Sequence, residues 1–359
     1  MIELILAIAS LVMPQAQAEL VFAGDAMQHQ RQIDAARRPG GEFDYSDCFT
    51  RLKPYISSAD YAVVNLEAPL GGPPYSGYPM FCAHDNYLHA LTDAGFDLVL
   101  SANNHILDRR DKGLLRTIET FEKAGVPWLG IYRSAEHRQQ HLPFIKDING
   151  FRIAFLNYTY GTNGIRKQTS VSIDYIDRDL ISKDVREARD AGAELIALCI
   201  HWGDEYKLLP NSEQRNLARF ISSLGVEMII GSHPHVIQPI ELSPGDEHKR
   251  PTLTVYSLGN FISAMRTVDT RGGAMVMVKL RRDLSGRAYV ADASFRMVFT
   301  HAPVEQGDNY RLFPAESDSI HNSVRIHRDR FVSNAMRIYN RNNINVARDT
   351  LPISEYNNK

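Results

Sequence analysis

The sequence predicts an α/β protein. Short apolar runs alternate with amphipathic helical segments, and residues that bind metals stand directly after five of those runs. The first run is residues 19–24 (ELVFAG), followed by Asp25; the second is 61–66 (YAVVNL), ending in Asn65 and Glu67. Residues 96–102 (FDLVLSA) lead into Asn103, Asn104 and His105, and 194–200 (ELIALCI) into His201. Residues 226–231 (VEMIIG) lead into His233 and His235.

The segments between the runs read as helices and turns. Leu114, Leu115, Ile118, Phe121 and Ala124 recur at helical spacing, and Gly125 is a natural stop. Helices are also expected near 48–56, 182–193 and 213–224, with further strands near 252–258 and 274–280. Asn149-Gly150 between two strand-like runs predicts a β-hairpin over 144–160. Residues 71–79 and 243–251, rich in Gly and Pro, read as lids or rims. The stretch beyond residue 300 reads as a C-terminal helix with a polar tail. The organisation expected is therefore one domain over 19–300 with a helical extension over 301–359 packed on it.

Composition narrows the class. With 44% hydrophobic and 23% charged residues the chain is globular, and 40 basic against 42 acidic residues leave no field to recruit nucleic acid. Cys48, Cys82 and Cys199 form no C-x-x-C pair, so neither a disulfide framework nor a zinc ribbon is indicated. Residues 1–18 read as an export signal, with Ala16-Gln17-Ala18 as the small-residue site, although Glu3 stands where a basic residue is usual. No later stretch approaches the ~20 apolar residues of a membrane span. The location expected is the cell envelope.

In open α/β sheets, ligands bind outside the carboxyl ends of the strands, so the five strand ends should meet. Carboxylate, amide oxygen and imidazole together suit zinc, manganese or iron, and so many ligands are most simply used by a pair of ions. Pro234 should hold His233 extended, letting His233 and His235 face one site. The other histidines, His29, His84, His89, His137, His141, His248, His301, His321 and His327, lack this context and are expected at the surface.

The strings FAGDAM, VVNLE, SANNHILD, AGVPWLGIY, IHWGDEY, IIGSHPHVIQPIE and YSLGNFI resemble, in order, the motifs of the CapA family, associated with poly-γ-glutamate capsule synthesis. The resemblance covers residues 20 to about 280. That family is similar to the calcineurin-like metallophosphoesterases, which implies a four-layer αββα sandwich of two mixed sheets around a two-metal site. Carried over by position, it makes Asp25, Glu67, Asn104, His201, His233 and His235 the metal ligands, with Glu67 bridging. It makes His105 the histidine that contacts substrate and protonates the leaving group. Asn65, Asn103 and Asn260 in the same motifs, and Arg109 beside them, are the expected substrate contacts. The sequence departs from the wider phosphoesterase pattern twice: Met27 stands where a histidine ligand is usual, and Glu67 where an aspartate is.

Three functions follow as expectations. The first is metal-dependent hydrolysis of a phosphoester or capsular polymer during synthesis or export, beside other capsule-synthesis membrane proteins. The second is non-catalytic, metal-dependent binding of an anionic envelope polymer. The third is a metal-dependent amidase.

Overall fold

The chain alternates strand and helix as its apolar periodicity requires, and its parallel strands all run toward one edge. The computed structural model describes residues 16–246 and 250–352. The expected export signal over 1–18 falls almost wholly outside them, although Gln17 and Ala18 are strand residues paired with Arg281 and Leu280.

The first half comprises β1 (Gln17–Ala26), α1 (Gln30–Ala36), α2 (Lys53–Ser57), β2 (Tyr61–Leu66), α3 (Asp85–Asp93), β3 (Leu98–Leu100), α4 (Arg110–Ala124) and β4 (Trp128–Leu129). Then come β5 (Ile131–Tyr132), α5 (Ala135–His141), β6 (Phe144–Ile148), β7 (Phe151–Thr159), β8 (Ser172–Ile173), α6 (Arg178–Asp190), β9 (Leu195–His201), α7 (Ser212–Ser223) and β10 (Met228–Ser232). The last part holds β11 (Ile240–Ser243), β12 (Thr252–Val255), β13 (Asn260–Ile262), β14 (Gly272–Arg282), β15 (Ala288–His301), β16 (Arg311–Pro314), α8 (Asn322–Asn342) and β17 (Ala347–Arg348).

Local chemistry sets these bounds. Gly125, at φ +66°, caps α4 in the left-handed conformation, as expected. Asn149 and Gly150 both take positive φ, +50° and +82°, so the hairpin between β6 and β7 turns as a two-residue primed turn. The helix expected from residue 48 begins only at Lys53, because Pro54 fits a first turn but not an interior.

Two mixed sheets result. The nine-stranded sheet runs β16-β15-β14-β1-β2-β3-β4, with β13 beside β1 and β17 beside β15. The six-stranded sheet runs β11-β12-β10-β9-β7-β6. Strands β1, β2, β3, β4 and β13 are parallel, as are β7, β9, β10 and β12. Alternate residues of each strand supply different layers. Val21, Val64 and Val99 pack under α2, α3 and α4, whereas Leu20, Phe22 and Val63 meet Phe155, Leu195 and Ala197 of the second sheet. The opposite face of that sheet, Ala154, Leu156, Ile196 and Ile229, packs under α6 and α7. The order of layers is αββα, the four-layer sandwich that the resemblance implied. Cys199 lies buried between the sheets, as an inert core residue should.

Residues beyond 300 contribute strands β16 and β17 to the large sheet, and α8 packs its Phe331, Ala335 and Tyr339 on the core between the sheets. Among the described residues no helix is long and apolar enough to cross a membrane.

Close strand contact imposes one sharp constraint. A Cβ on Gly231, in β10, would lie 2.2 Å from Tyr256 O and 2.6 Å from Trp202 Nε1. Gly231→Ala is expected to cost about 1–3 kcal/mol, read as a lower urea midpoint at unchanged slope.

Candidate metal centre

The parallel strands of both sheets end at a common edge, where every residue expected to bind metal is found. Asp25 ends β1, Glu67 follows β2, Asn104 follows β3, His201 ends β9, and His233 and His235 follow β10. Glu67, His201 and His233 present ligand atoms within 4.8 Å of one another, and so do Asp25, Glu67 and His235. Glu67 is common to both groups. It is completely buried, yet neither carboxylate oxygen has a hydrogen-bond partner among the described residues. Its Oε1 lies 3.4 Å from His201 Nε2 and 3.8 Å from His235 Nε2. An unpaired carboxylate costs several kcal/mol in such surroundings, so two orphaned oxygens facing imidazoles fit cations between them. His233 Nδ1 is likewise buried and unpartnered.

Surrounding groups aim the ligands. Asn65 Nδ2 donates to Asp25 Oδ1 at 2.7 Å and the His233 backbone N–H to Asp25 Oδ2 at 3.2 Å. His201 Nδ1 lies 2.9 Å from Ser232 Oγ, turning Nε2 toward Asn104 Oδ1 at 2.8 Å. His235 Nδ1 lies 3.1 Å from Asn260 Oδ1. The backbone of His233 is not extended, as Pro234 alone would suggest. His233 and His235 take φ of +99° and +58°, a strained turn that folds both rings inward. Two branches of one turn thereby serve the two ligand groups.

Burial, the charges and the hydrogen bonds sort the protons. Burial drives His201 down to about 3 and His233 to about 2, so both are neutral, as ligands must be. Burial also opposes charge on His235, but Glu67 and Asp25 outweigh it and lift the ring to about 9. Burial and the neighbouring Asp25 raise Glu67 well above the carboxylate range. Burial raises Asp25 as well, but its bond to His235 and the charges of the histidines leave it lowered. The cation-free cluster thus retains a proton at pH 7, and a cation must displace it. Manganese or zinc binding is expected to release about one proton at pH 7 and to strengthen about tenfold per pH unit until His235 deprotonates near pH 9. Calorimetry in buffers of different ionisation enthalpy measures that release.

His105 stands beside the centre, 5% exposed, with Nδ1 2.8 Å from Asp108 Oδ2, which also accepts the Phe81 N–H at 2.7 Å. This arrangement fixes the proton on Nδ1 and leaves Nε2 for other work. Each residue expected to contact substrate also makes a polar contact within the protein. Asn65 and Asn260 hold Asp25 and His235, Asn103 Nδ2 donates to Leu66 O, and Arg109 Nη1 donates to Pro74 O in the 71–79 loop. Met27 is 1% exposed and belongs to the hydrophobic core under the helices, so it supplies no ligand.

Several residues near the centre carried no signal in the sequence reading. Tyr160, 46% exposed, sets its ring 4.6 Å from that of His233, and Tyr206, at φ +64°, sets its ring 6.1 Å from that of His235. Together they form an aromatic mouth. His29, expected at the surface, is mostly buried and stands edge-on to Phe81, which stands edge-on to His105. His301, also expected at the surface, is buried against Phe313 because β15 carries it inside. No local spacing ties Tyr160, Tyr206, His29 or His301 to the strand ends.

Residues 19–265 match the family described as Bacterial capsule synthesis protein PGA_cap. The chain belongs to that family. This capsule synthesis family member is 29% identical over 296 residues to the PGA biosynthesis protein CapA of Bacillus subtilis, covering 79% of this chain and 73% of that one. It is 26% identical over 273 residues to the capsule biosynthesis protein CapA of Bacillus anthracis, covering 73% of this chain and 64% of the relative. Among solved structures, the Haemophilus influenzae NAD nucleotidase is similar, with 11% identity and a TM-score of 0.48 over 95% of this chain and 66% of that one. A 5'-nucleotidase of Staphylococcus aureus aligns at 14% identity and a TM-score of 0.47, over 88% and 58%. The family member thus spans less than two thirds of the B. anthracis relative and of both nucleotidases.

Proposed function

We propose that this protein is a metal-dependent hydrolase acting on an anionic polymer of the cell envelope, poly-γ-glutamate or a related capsular chain, during its synthesis or export. The observation that carries the reading is Glu67, fully buried, with two unpartnered oxygens shared by two ligand groups. Asp25, Glu67 and His235 would hold one divalent ion; Glu67, His201, His233 and Asn104 would hold the other. When bound, such ions supply Lewis acidity that polarises a phosphoryl or acyl oxygen and makes water a better nucleophile near neutral pH. The protein's own groups do the rest. Ser232, Asn65 and Asn260 orient the ligands, Tyr160 and Tyr206 line the entrance, and His105, its Nδ1–H held by Asp108, would as the imidazolium give the leaving group a proton from Nε2.

The test is turnover. Protein loaded with manganese or zinc is offered a generic phosphodiester and, separately, poly-γ-glutamate, and product release is compared with that of His105→Ala. Cleavage that falls with the variant supports hydrolysis, and cleavage of the amide alone selects an amidase. Met27 favours a second reading, because its burial leaves one ion with three protein ligands: metal-dependent binding of the polymer without cleavage. Full metal content and tight polymer binding with no product from either substrate would select that reading.

A further inference from the structure

Beside the metal centre lies a cavity of about 580 Å³ whose polar lining includes Arg31, Arg266, Arg271, Asp34, Thr300 and Tyr310. Three guanidiniums face one carboxylate there. Several other arginines are paired, Arg116 with Asp85, Arg138 with Asp174, Arg189 with Glu227 and Arg282 with Glu194. No carboxylate of the described residues lies within ion-pair distance of Arg31, Arg266 or Arg271. Among the described residues the one hydrogen bond these guanidiniums make is from Arg271 Nε to Arg266 O, at 3.2 Å. Burial disfavours the charge on Arg271, and only Tyr310 offsets it. A second polar group in the same lining is also unmet: Thr300, 6% exposed, has a buried hydroxyl with no hydrogen-bond partner. Cationic donors and an unused hydroxyl in one concavity are what an anion requires.

The cavity adjoins the centre through bonded residues. Met265 lines it and accepts from Asn260 Nδ2 at 3.4 Å, while Asn260 Oδ1 lies 3.1 Å from His235 Nδ1. The preceding residue, Ala264, donates its N–H to His29 Nδ1 at 3.4 Å.

We infer that the cavity of Arg31, Arg266, Arg271 and Thr300 is an anion subsite that grips a carboxylate or phosphate of a polyanionic chain whose neighbouring bond lies at the metal centre. The assignment of that chain as a substrate rests on the function proposed above; the anion subsite itself does not.

A labelled γ-linked glutamate decamer titrated into the full manganese-loaded protein tests it by fluorescence anisotropy, with inorganic phosphate titrated separately by calorimetry. The exposed pair Arg31→Gln/Arg266→Gln is compared with Arg271→Gln, so a folding defect at the half-buried Arg271 does not decide the result. Each variant is expected to weaken the decamer about tenfold or more while metal content stays at the wild-type level. Loss of phosphate binding with the decamer unaffected would assign the same pocket to a phosphate-bearing chain. Wild-type affinity for both anions in both variants overturns the inference, as does absence of binding by either anion to the parent protein. Decamer gripped through the arginines but never cleaved leaves the subsite standing and refutes hydrolysis of that polymer alone.

Discussion

Glutamine in place of Glu67 is expected to strip the centre of cation and, in the same variant, to stabilise the cation-free protein. Glu67 is the residue on which both ligand groups depend, so its loss leaves two ligands in each, Asp25 with His235 and His201 with His233. Affinity for manganese or zinc should fall more than about 100-fold, beyond the loss typical of an outer-shell change. The stability effect has the opposite sign. In the absence of cation, two unpartnered oxygens are sealed among imidazoles and another carboxylate, and burial already drives the group toward its protonated form. An amide of the same shape is neutral without taking up a proton and opens no cavity, which should stabilise the chelated protein by about 1–3 kcal/mol in urea denaturation. A glutamine variant that is weaker in metal and also less stable in chelator would show that Glu67 is instead a structural member of the core.

The second large effect concerns His105. Its ring is fixed by Asp108 and lies outside both ligand groups, so His105→Ala should leave metal content unchanged while turnover drops about 10²–10⁴-fold. Asp108→Asn should act in the same direction by misorienting the imidazole, with its pH profile altered as well. Equal loss of metal in His105→Ala would place the ring in the coordination shell instead.

The strand ends were legible because a carboxylate or imidazole placed directly after an apolar run has little freedom. In a parallel sheet it must emerge at the carboxyl edge, and Asp25, Glu67, Asn104 and His201 do so. What the turn after β10 does was not legible. Pro statistics favour an extended His233, yet the chain holds two positive-φ histidines around Pro234, a strain that only the surrounding packing sustains. Strand β15 also escaped the sequence reading, since Arg296 interrupts its apolar pattern. The structure buries that guanidinium by pairing it with Glu316 and Asp349 and laying it over the Tyr55 ring, contacts from residues 20, 53 and 241 positions away. The aromatic mouth and the arginine cavity were hidden for a similar reason. Tyr160, Tyr206, Arg31 and Arg271 come from separate loops and elements, and no local spacing relates them.

We propose a two-ion centre organised by Glu67. Its most direct test is the metal content, by plasma mass spectrometry, of wild-type protein purified without chelator and resupplied with manganese or zinc. About two divalent ions per chain are predicted, because two ligand groups share one carboxylate. Protein that retains no stoichiometric ion under those conditions would contradict the account.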